Sequence, residues 1–479
     1  MTNKLKNKIA IILCGAMFHL ISCQNDAIQE ALENKKPTEI ISEEITYTTK
    51  VSTDDAKKVA NLFNGTNNES RALKVIKDIN VMADDNGKPF MYIVNFANNQ
   101  GYVLVSATRN FFPVLAYNNE GNFIVPKESV NGLNIWIKKT KQNIEIADIL
   151  PVDLTAKFRS EWKKYEEQYL YSSRKSRTAN SELDQHVIQI TNQWYRDGVE
   201  WCPLEDAQNF LPTSQYQTWC ELAAGAIDYS YQDVNPLTYS FVVTEHTDYG
   251  SGNVNNFIHT NWYQDGIYND RIQTEYGKNY RAGCTTIAMA QIMKYHEYPA
   301  TFNWSTMGNN TSTIADFIYD VAETINVTYG EKSTRASIDK VKNALISYGY
   351  STSVREISHD VGLVRNELDN RRPVFMQGKS TEDVHAWLAS GYNITHSQTV
   401  YKLYVPVQNA SIGFPYVNIE DYLGNQMNSV YFYMNWGEGL FNGFYNDYNL
   451  GDYSAANPYN YNFAFNENRK DLINIIPGN

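Results

Sequence analysis

The sequence is poor in cysteine, histidine and cationic charge, and it has a single long apolar run. Five cysteines and eight histidines in 479 residues form no cluster at zinc-ligand spacing, so no metal is implied. Nothing in the chain calls for an organic cofactor either. Forty-one Lys and Arg against 53 Asp and Glu leave a net charge of −12, which argues against nucleic acid or an anionic membrane surface as the main partner. After residue 21 no apolar stretch is long enough to cross a bilayer. What is present is a chain that is 43% hydrophobic and rich in tyrosine, long enough for two or three domains with sizeable cores.

The N-terminus reads as an export signal. Lys4, Lys6 and Lys8 form a basic start, and the apolar run from Ile9 to Ile21 is too short to span a membrane by itself. It closes with Leu20-Ile21-Ser22-Cys23, which resembles the lipobox of bacterial lipoproteins. That resemblance implies a signal peptide over 1–22, lipidation of Cys23, and a membrane partner held through the acyl chains alone. Gln24 is not the Asp that retains lipoproteins at an inner membrane, so the expected location is the cell envelope, at the outer membrane facing periplasm or cell surface. With Cys14 removed and Cys23 lipidated, Cys202, Cys220 and Cys284 remain. An odd thiol in an oxidising compartment is a candidate nucleophile. Cys202 and Cys220 are open either to pairing or to staying reduced.

Residues 23–43 are polar, Lys/Glu-rich and without periodicity, as in a tether. A small α+β unit is expected over 44–150. Thr53 to Phe63 reads as a helix with Asp54 and Asp55 in its first turn, while Phe90 to Phe96 and Gly101 to Ser106 read as a hairpin. A further strand follows at Val114 to Tyr117. Leu133, Trp136, Ile137, Thr140 and Ile144 then recur at helical spacing. Residues 151–185, charged and containing Arg174-Lys175-Ser176-Arg177, read as a linker open to proteolysis. Residues 186–250 carry Trp, Cys and Tyr and read as an ordered insert of no assigned form. Residues 251–479 are the expected catalytic domain.

The chemistry-bearing residues lie in that last segment. Gly283 is followed by Cys284 and a helix-compatible run, Thr285-Thr286-Ile287-Ala288-Met289-Ala290-Gln291-Ile292-Met293. A thiol in the first turn of a helix meets unpaired N–H groups and the positive end of the dipole, which favour thiolate. His385 lies in the strand-like run Val384-His385-Ala386-Trp387-Leu388, and a buried His pairs well with a thiolate. Asn435 and Trp436 close another strand; an Asn carbonyl can orient the imidazole while an indole shields the bond.

Together these residues make the chain similar to the streptopain (C10) cysteine peptidases. The family's nucleophile motif is matched by Gly283-Cys284 and by Ala288-Met289-Ala290-Gln291-Ile292-Met293-Lys294-Tyr295-His296-Glu297-Tyr298-Pro299. Its histidine motif is matched by His385, Ala386, Gly391 and Tyr392, and its Asn-Trp-Gly-x-Gly by Asn435, Trp436, Gly437 and Gly439. Thr260-x-Trp262-x-Gln264 resembles the segment that supplies an oxyanion donor. The resemblance implies an α+β, papain-like catalytic domain with Cys284 as nucleophile, His385 as general base and acid, and Asn435 as its orienter. It further implies that Trp436 shields the His–Asn bond and that Gln264 works with the Cys284 N–H at the oxyanion. Residues 44–150 resemble the inhibitory prodomain, so the chain is expected to be a zymogen held by its own prodomain in cis. Its substrates are expected to be proteins or peptides. Two positions depart from the pattern: Val384 stands where a Gly precedes the histidine, and Glu438 replaces the second Trp of the glycine-rich loop. Two other readings use the same residues: a peptidase-fold lipoprotein that binds or inhibits without turnover, and another Cys-dependent acyl-transfer enzyme, an amidase or transpeptidase.

Overall fold

A computed structural model describes residues 48–63, 74–125, 131–165, 182–226, 235–308, 313–379, 384–407, 416–439, 441–447 and 467–478. The signal peptide, the tether with Cys23, and the 166–181 part of the expected linker lie outside the described residues. Among those residues no helix is long and apolar enough to cross a membrane, and no group of His, Cys, Asp and Glu is arranged to hold a metal ion.

The first element, α1 (Thr53–Leu62), begins where the sequence expects it. Ser52 caps it through a reciprocal pair: the Asp55 N–H donates to Ser52 Oγ at 3.1 Å, and the Ser52 N–H donates to the Asp55 carboxylate at 2.9 Å. Strands β1 (Ile76–Ala83), β2 (Pro89–Phe96), β3 (Tyr102–Ser106) and β4 (Val114–Asn118) form an antiparallel meander. The helix α2 (Asn131–Ala147) lays Leu133, Trp136, Ile137, Thr140 and Ile144 into the core, all buried. The stripe read at helical spacing is its inner face.

The stretch after it differs from the expected linker. Residues 152–165 form α3 (Val152–Trp162) and a further 3-10 turn (Lys163–Tyr165), with Ala156, Phe158 and Trp162 buried. Trp162 Nε1 donates to the Phe111 carbonyl at 2.8 Å, and Arg159 reaches Asn110 Oδ1 at 2.8 Å and the Asn209 carbonyl at 2.9 Å. The charges that suggested a linker belong to side chains whose stems pack and whose heads find partners.

The 186–250 insert has a definite form. Helices α4 (Glu182–Arg196), α5 (Thr213–Ala226) and the single turn α6 (Pro236–Tyr239) surround strands β5 (Glu200–Pro203) and β6 (Phe241–Val254). The boundary drawn at 250 falls inside β6. Cys202 and Cys220 are not joined in a disulfide.

The remaining chain divides into a helical and a sheet half. The helical half holds α7 (Asp270–Tyr276), α8 (Cys284–His296), α9 (Thr313–Ile325) and α10 (Ile338–Ser347). Its core includes Trp262, Ile287, Met289, Phe317 and Leu345. The sheet half holds β7 (Arg355–Ser358), α11 (Val361–Asp369), β8 (Val374–Lys379), the long hairpin β9 (Val384–Pro406) and β10 (Tyr416–Asn435), then β11 (Gly443–Asn446) and β12 (Glu467–Ile473). One antiparallel sheet runs in the order β1-β2-β3-β4-β11-β10-β9-β8-β12-β7, with β6 also pairing β9 and β5 pairing β6. This is an α+β fold. The long stretch from Ser390 to Val430 is the hairpin, extended far enough to carry the insert's strand.

Candidate active site

Cys284 is the first residue of α8, and it arrives there through Gly283. That glycine has φ of 91°, and a Cβ on it would lie 2.9 Å from the Thr334 carbonyl oxygen, so no larger residue fits without a shift. The helix behind the thiol is buried from Thr285 to Met293. Half-buried Cys284 faces β9: its Sγ lies 3.3 Å from the Ala386 N–H, which points at it. The strand residue next to Ala386 is His385. Cys284 Sγ thus lies against the strand backbone one residue from His385, a hundred positions away in the chain, where the helical half touches the sheet half.

His385 is 1% exposed. Its Nε2 lies 3.1 Å from the Trp436 carbonyl, which can only accept, so Nε2 carries the proton in that contact. The ring also lies against two indoles, with centroids 6.3 Å from Trp387 and 6.0 Å from Trp436. The N-terminal unit adds to this cover. A Cβ on Gly132, in the first turn of α2, would fall 2.3 Å from His385 Cδ2 and 2.4 Å from Nε2. Only a residue without a side chain lets that turn ride on the imidazole.

Asn435 is 1% exposed and sits in a dense amide network. Its Nδ2 donates to the Thr260 carbonyl at 3.0 Å and to Gln291 Oε1 at 2.9 Å, while its Oδ1 accepts from the Gly437 N–H at 3.0 Å. Gln291 also accepts from the Trp262 N–H at 3.2 Å. It thus ties α8 to both the asparagine loop and the segment leading to Gln264. Gln291 belongs to the nucleophile motif, but no role was assigned to it. The available signal is a lone amide in the middle of an apolar helical run, where a buried polar group needs partners.

Gln264 is 4% exposed, and its backbone carbonyl accepts from the Ala282 N–H at 2.9 Å, two residues before the thiol. Its side-chain amide donates to Glu438 Oε1 at 2.7 Å. Glu438, noted in the sequence only as a departure, is thus part of the site. Burial pushes its pKa up to about 7; His385 and Arg281 pull against that shift, and Cys284 and Asp265 add to it. Trp436, 1% exposed, packs at a tilt against both His385 and Trp387, with centroids 6.0 and 5.3 Å away, and edge-on to Tyr445 at 5.2 Å. The arrangement offers a thiol at a helix start, an imidazole one strand residue away, and an amide donor nearby, the components of acyl transfer.

Comparison with known proteins divides the chain along the same lines. A family model described as Spi protease inhibitor matches residues 48–144, and one described as Peptidase C10 family matches residues 262–313. The chain is 25% identical to streptopain of Streptococcus pyogenes over 174 residues, 26% of this chain and 44% of streptopain. It is 24% identical to the thiol protease/hemagglutinin PrtT of Porphyromonas gingivalis over 158 residues, 24% of this chain and 18% of that protein. It therefore spans less than half the length of these curated relatives. Among solved structures it is similar to a prointerpain A fragment of Prevotella intermedia, with a TM-score of 0.44 and 13% identity, covering 84% of this chain and 99% of that one. Active interpain A of the same organism gives a TM-score of 0.32 and 16% identity, covering 47% of this chain and 95% of that one.

Proposed function

From the premise that this chain belongs to the peptidase C10 family and carries a Spi protease inhibitor unit ahead of its catalytic region, we propose that it is a cysteine endopeptidase made as a latent zymogen. The observation that carries the reading is the meeting of Cys284 Sγ with the backbone of residue 386, beside an imidazole that Gly132 covers.

In the latent form the His385 Nε2–H is spent on the Trp436 carbonyl. Departure of the N-terminal unit frees the ring to turn about its side-chain torsions toward Sγ. The thiol proton then passes to the imidazole, and the thiolate adds to the scissile carbonyl carbon. The developing oxyanion is held by the Cys284 N–H and the Gln264 amide. Imidazolium gives its proton to the leaving amine, which departs and leaves a thioester on Cys284. His385 next takes a proton from water as the water attacks that thioester, and returns it to Sγ as the acid leaves. Asn435 and Trp436 keep the ring's surroundings fixed and dry.

Hydrolysis of a peptide substrate by the activated chain, blocked by a thiol alkylator and lost in Cys284→Ala, is the expected result. Turnover that survives this substitution removes Cys284 as nucleophile, and with it the reading. We further propose export and lipidation at Cys23, placing the enzyme in the cell envelope. Labelled palmitate should enter the wild-type chain and not Cys23→Ser; equal labelling of both excludes the anchor.

A further inference from the structure

Position 438 carries a carboxylate where the resembling family carries a tryptophan, and the fold supplies it with partners. Gly437 and Gly439 have φ of 67° and 84°, so the loop turns sharply on either side. Glu438 comes to lie beside Tyr263 in an isolated antiparallel bridge. Its side chain is 5% exposed, with Oε1 2.7 Å from Gln264 Nε2 and Oε2 3.6 Å from an Arg281 terminal nitrogen. Arg281, 12% exposed, is itself gripped by Asp265, Nε to Oδ1 at 3.0 Å and Nη2 to Oδ2 at 2.8 Å. A relay of charge and hydrogen bonds therefore runs from half-exposed Asp265 through Arg281 and Glu438 to the amide of Gln264.

We propose that Glu438 is a positioning residue for acyl transfer: it accepts one N–H of the Gln264 amide and so fixes the other toward the oxyanion forming at Cys284, while Arg281 holds the carboxylate in place. This inference rests on the peptidase reading above and adds to it a residue that the family pattern does not supply. The terminal torsion of a glutamine is broad, so an untethered amide samples many orientations. Oxyanion donors act through being fixed before charge develops. A carboxylate this close to an oxyanion opposes it, and the Arg281 guanidinium offsets that opposition.

The charged groups facing Glu438 are Arg281 and Asp265 from the loops before α8, Cys284 from α8 and His385 from β9. Among them its proton is lost near neutral pH. An ionised acceptor makes the stronger hydrogen bond, so the grip on Gln264 tightens as pH rises through that range.

The test measures kcat and KM on a peptide substrate from pH 5 to 9, using the full chain activated by cleavage, as wild type, Glu438→Leu, Glu438→Gln and Cys284→Ala. Glu438→Leu should lower kcat about tenfold with KM within about twofold, less than the 10²–10³ lost when an oxyanion donor is removed outright. Glu438→Gln keeps an acceptor of the same shape, so kcat should return to within about threefold of wild type at its plateau. The rising limb near neutral pH, present in wild type, should be missing. A Glu438→Leu kcat equal to wild type, or a Glu438→Gln profile superimposable on wild type, overturns the assignment, as does an effect confined to the melting temperature. Equal turnover by wild type and Cys284→Ala would instead overturn the peptidase reading itself, a comparison in which position 438 plays no part.

Discussion

The N-terminal unit and the 186–250 insert both add strands to the same sheet, yet they join it very differently. The insert's β6 runs along β9 from Phe241 opposite Tyr404 to Val254 opposite Tyr392. Behind that ladder the insert packs two clusters of its own, one around Trp194, Trp201 and Phe241 and one around Trp219, Leu204 and Leu403. The N-terminal unit meets the sheet through two residue pairs, Tyr117 with Phe444 and Ala116 with Tyr445. Side chains join the two more broadly: Tyr431 donates to the Val114 carbonyl at 3.0 Å, Asn118 donates to the Asn442 carbonyl at 2.8 Å, and Tyr102, Leu104 and Trp136 share one buried cluster with Trp387, Phe432 and Tyr445. The long ladder belongs to the permanent body. The seam of strand pairing to the N-terminal unit is short and lies beside the covered imidazole, so under the zymogen reading it is the junction expected to give way. On that reading the lock comprises this strand pairing, the buried cluster shared across it and the Gly132 contact, while the β6–β9 ladder holds the insert.

The division requires that the strand receiving the N-terminal unit stay in place when the unit goes. β11 is secured from its far end. Asp447 pairs with His359 Nε2 at 2.9 Å and with Arg469, and Asp471 holds His359 Nδ1 at 2.7 Å. Burial pushes Asp447 up, but Arg469 and His359 outweigh it and hold the carboxyl well below its usual range. Its contribution is therefore full above about pH 4 and is lost as pH falls through the depressed value. Burial and Arg469 push His359 down, and its carboxylates outweigh them, so its pKa lies above the ordinary value. That contribution is full below about pH 6.5 and fades as pH rises through the raised value. Breaking such a network from one side costs about 3–5 kcal/mol. Asp447→Asn should lose that much in denaturant unfolding and flatten both limbs of the stability–pH curve. An unchanged midpoint would mean that β11 is held by the seam after all.

The next largest effect lies on the insert's side. Val243 stands between Trp201 of β5 and Lys402 of β9, and a proline there removes a ladder hydrogen bond from a central strand. Val243→Pro should cost about 3 kcal/mol or more and unfold the sheet half along with the insert. Loss of the insert's signals alone, with the active site intact by thiol labelling, would show the insert to be separable.

Gly132→Val acts on the seam. Its side chain would have to enter the His385 ring, and overpacking of this kind costs about 1–3 kcal/mol. That penalty falls on the docked state only, so the uncleaved chain should gain about tenfold or more in initial peptidase rate. The Gly132→Val chain should still melt near wild type. Unchanged latency would mean that α2 does not cover the imidazole in solution.

Much of this was legible in the residues, and the gaps have physical causes. Gly283-Cys284 ahead of an apolar run marked a helix start, and α8 begins at Cys284. The helical stripe from Leu133 to Ile144 is the buried face of α2. The helix over 152–162 was hidden because Lys157, Arg159 and Glu161 dominate its composition, although Phe158 and Trp162 sit at the spacing of one face. β6 escaped because its first four residues are buried on both sides and its later ones are exposed, so no alternation shows. The sequence points to Asn435 as the imidazole's orienter, whereas in the fold its amide bonds Gln291 and Thr260 and the His385 Nε2 meets the Trp436 carbonyl. The cover of His385 by Gly132 has no signature at all in a single sequence. It is a contact between distant segments, made possible by the absence of a side chain.

The smallest effect discriminates most finely, because it can be imposed equally on both junctions. At the seam, Tyr117 accepts a hydrogen bond from Asn393 Nδ2 at 2.8 Å while its ring stacks on Phe444 at 5.0 Å. At the insert, Tyr416 donates to the Tyr239 carbonyl at 2.8 Å while its ring packs on Phe241 at 5.3 Å. Tyr→Phe at either position keeps the ring and deletes one hydrogen bond, worth about 1 kcal/mol net. At Tyr117 that loss falls on the short β4–β11 pairing and the aromatic cluster around it, and it weakens docking of the unit that covers His385. About fivefold more peptidase activity should leak from the uncleaved chain, since 1 kcal/mol is close to that ratio. At Tyr416 the same loss is set against the full β6–β9 ladder and two packed clusters, so unfolding should shift by a similar amount with no leak. Measuring both chains for residual activity and denaturant midpoint separates the two roles. Equal leakage from both would mean that the insert, too, is part of the lock, and that length of pairing does not decide which region departs.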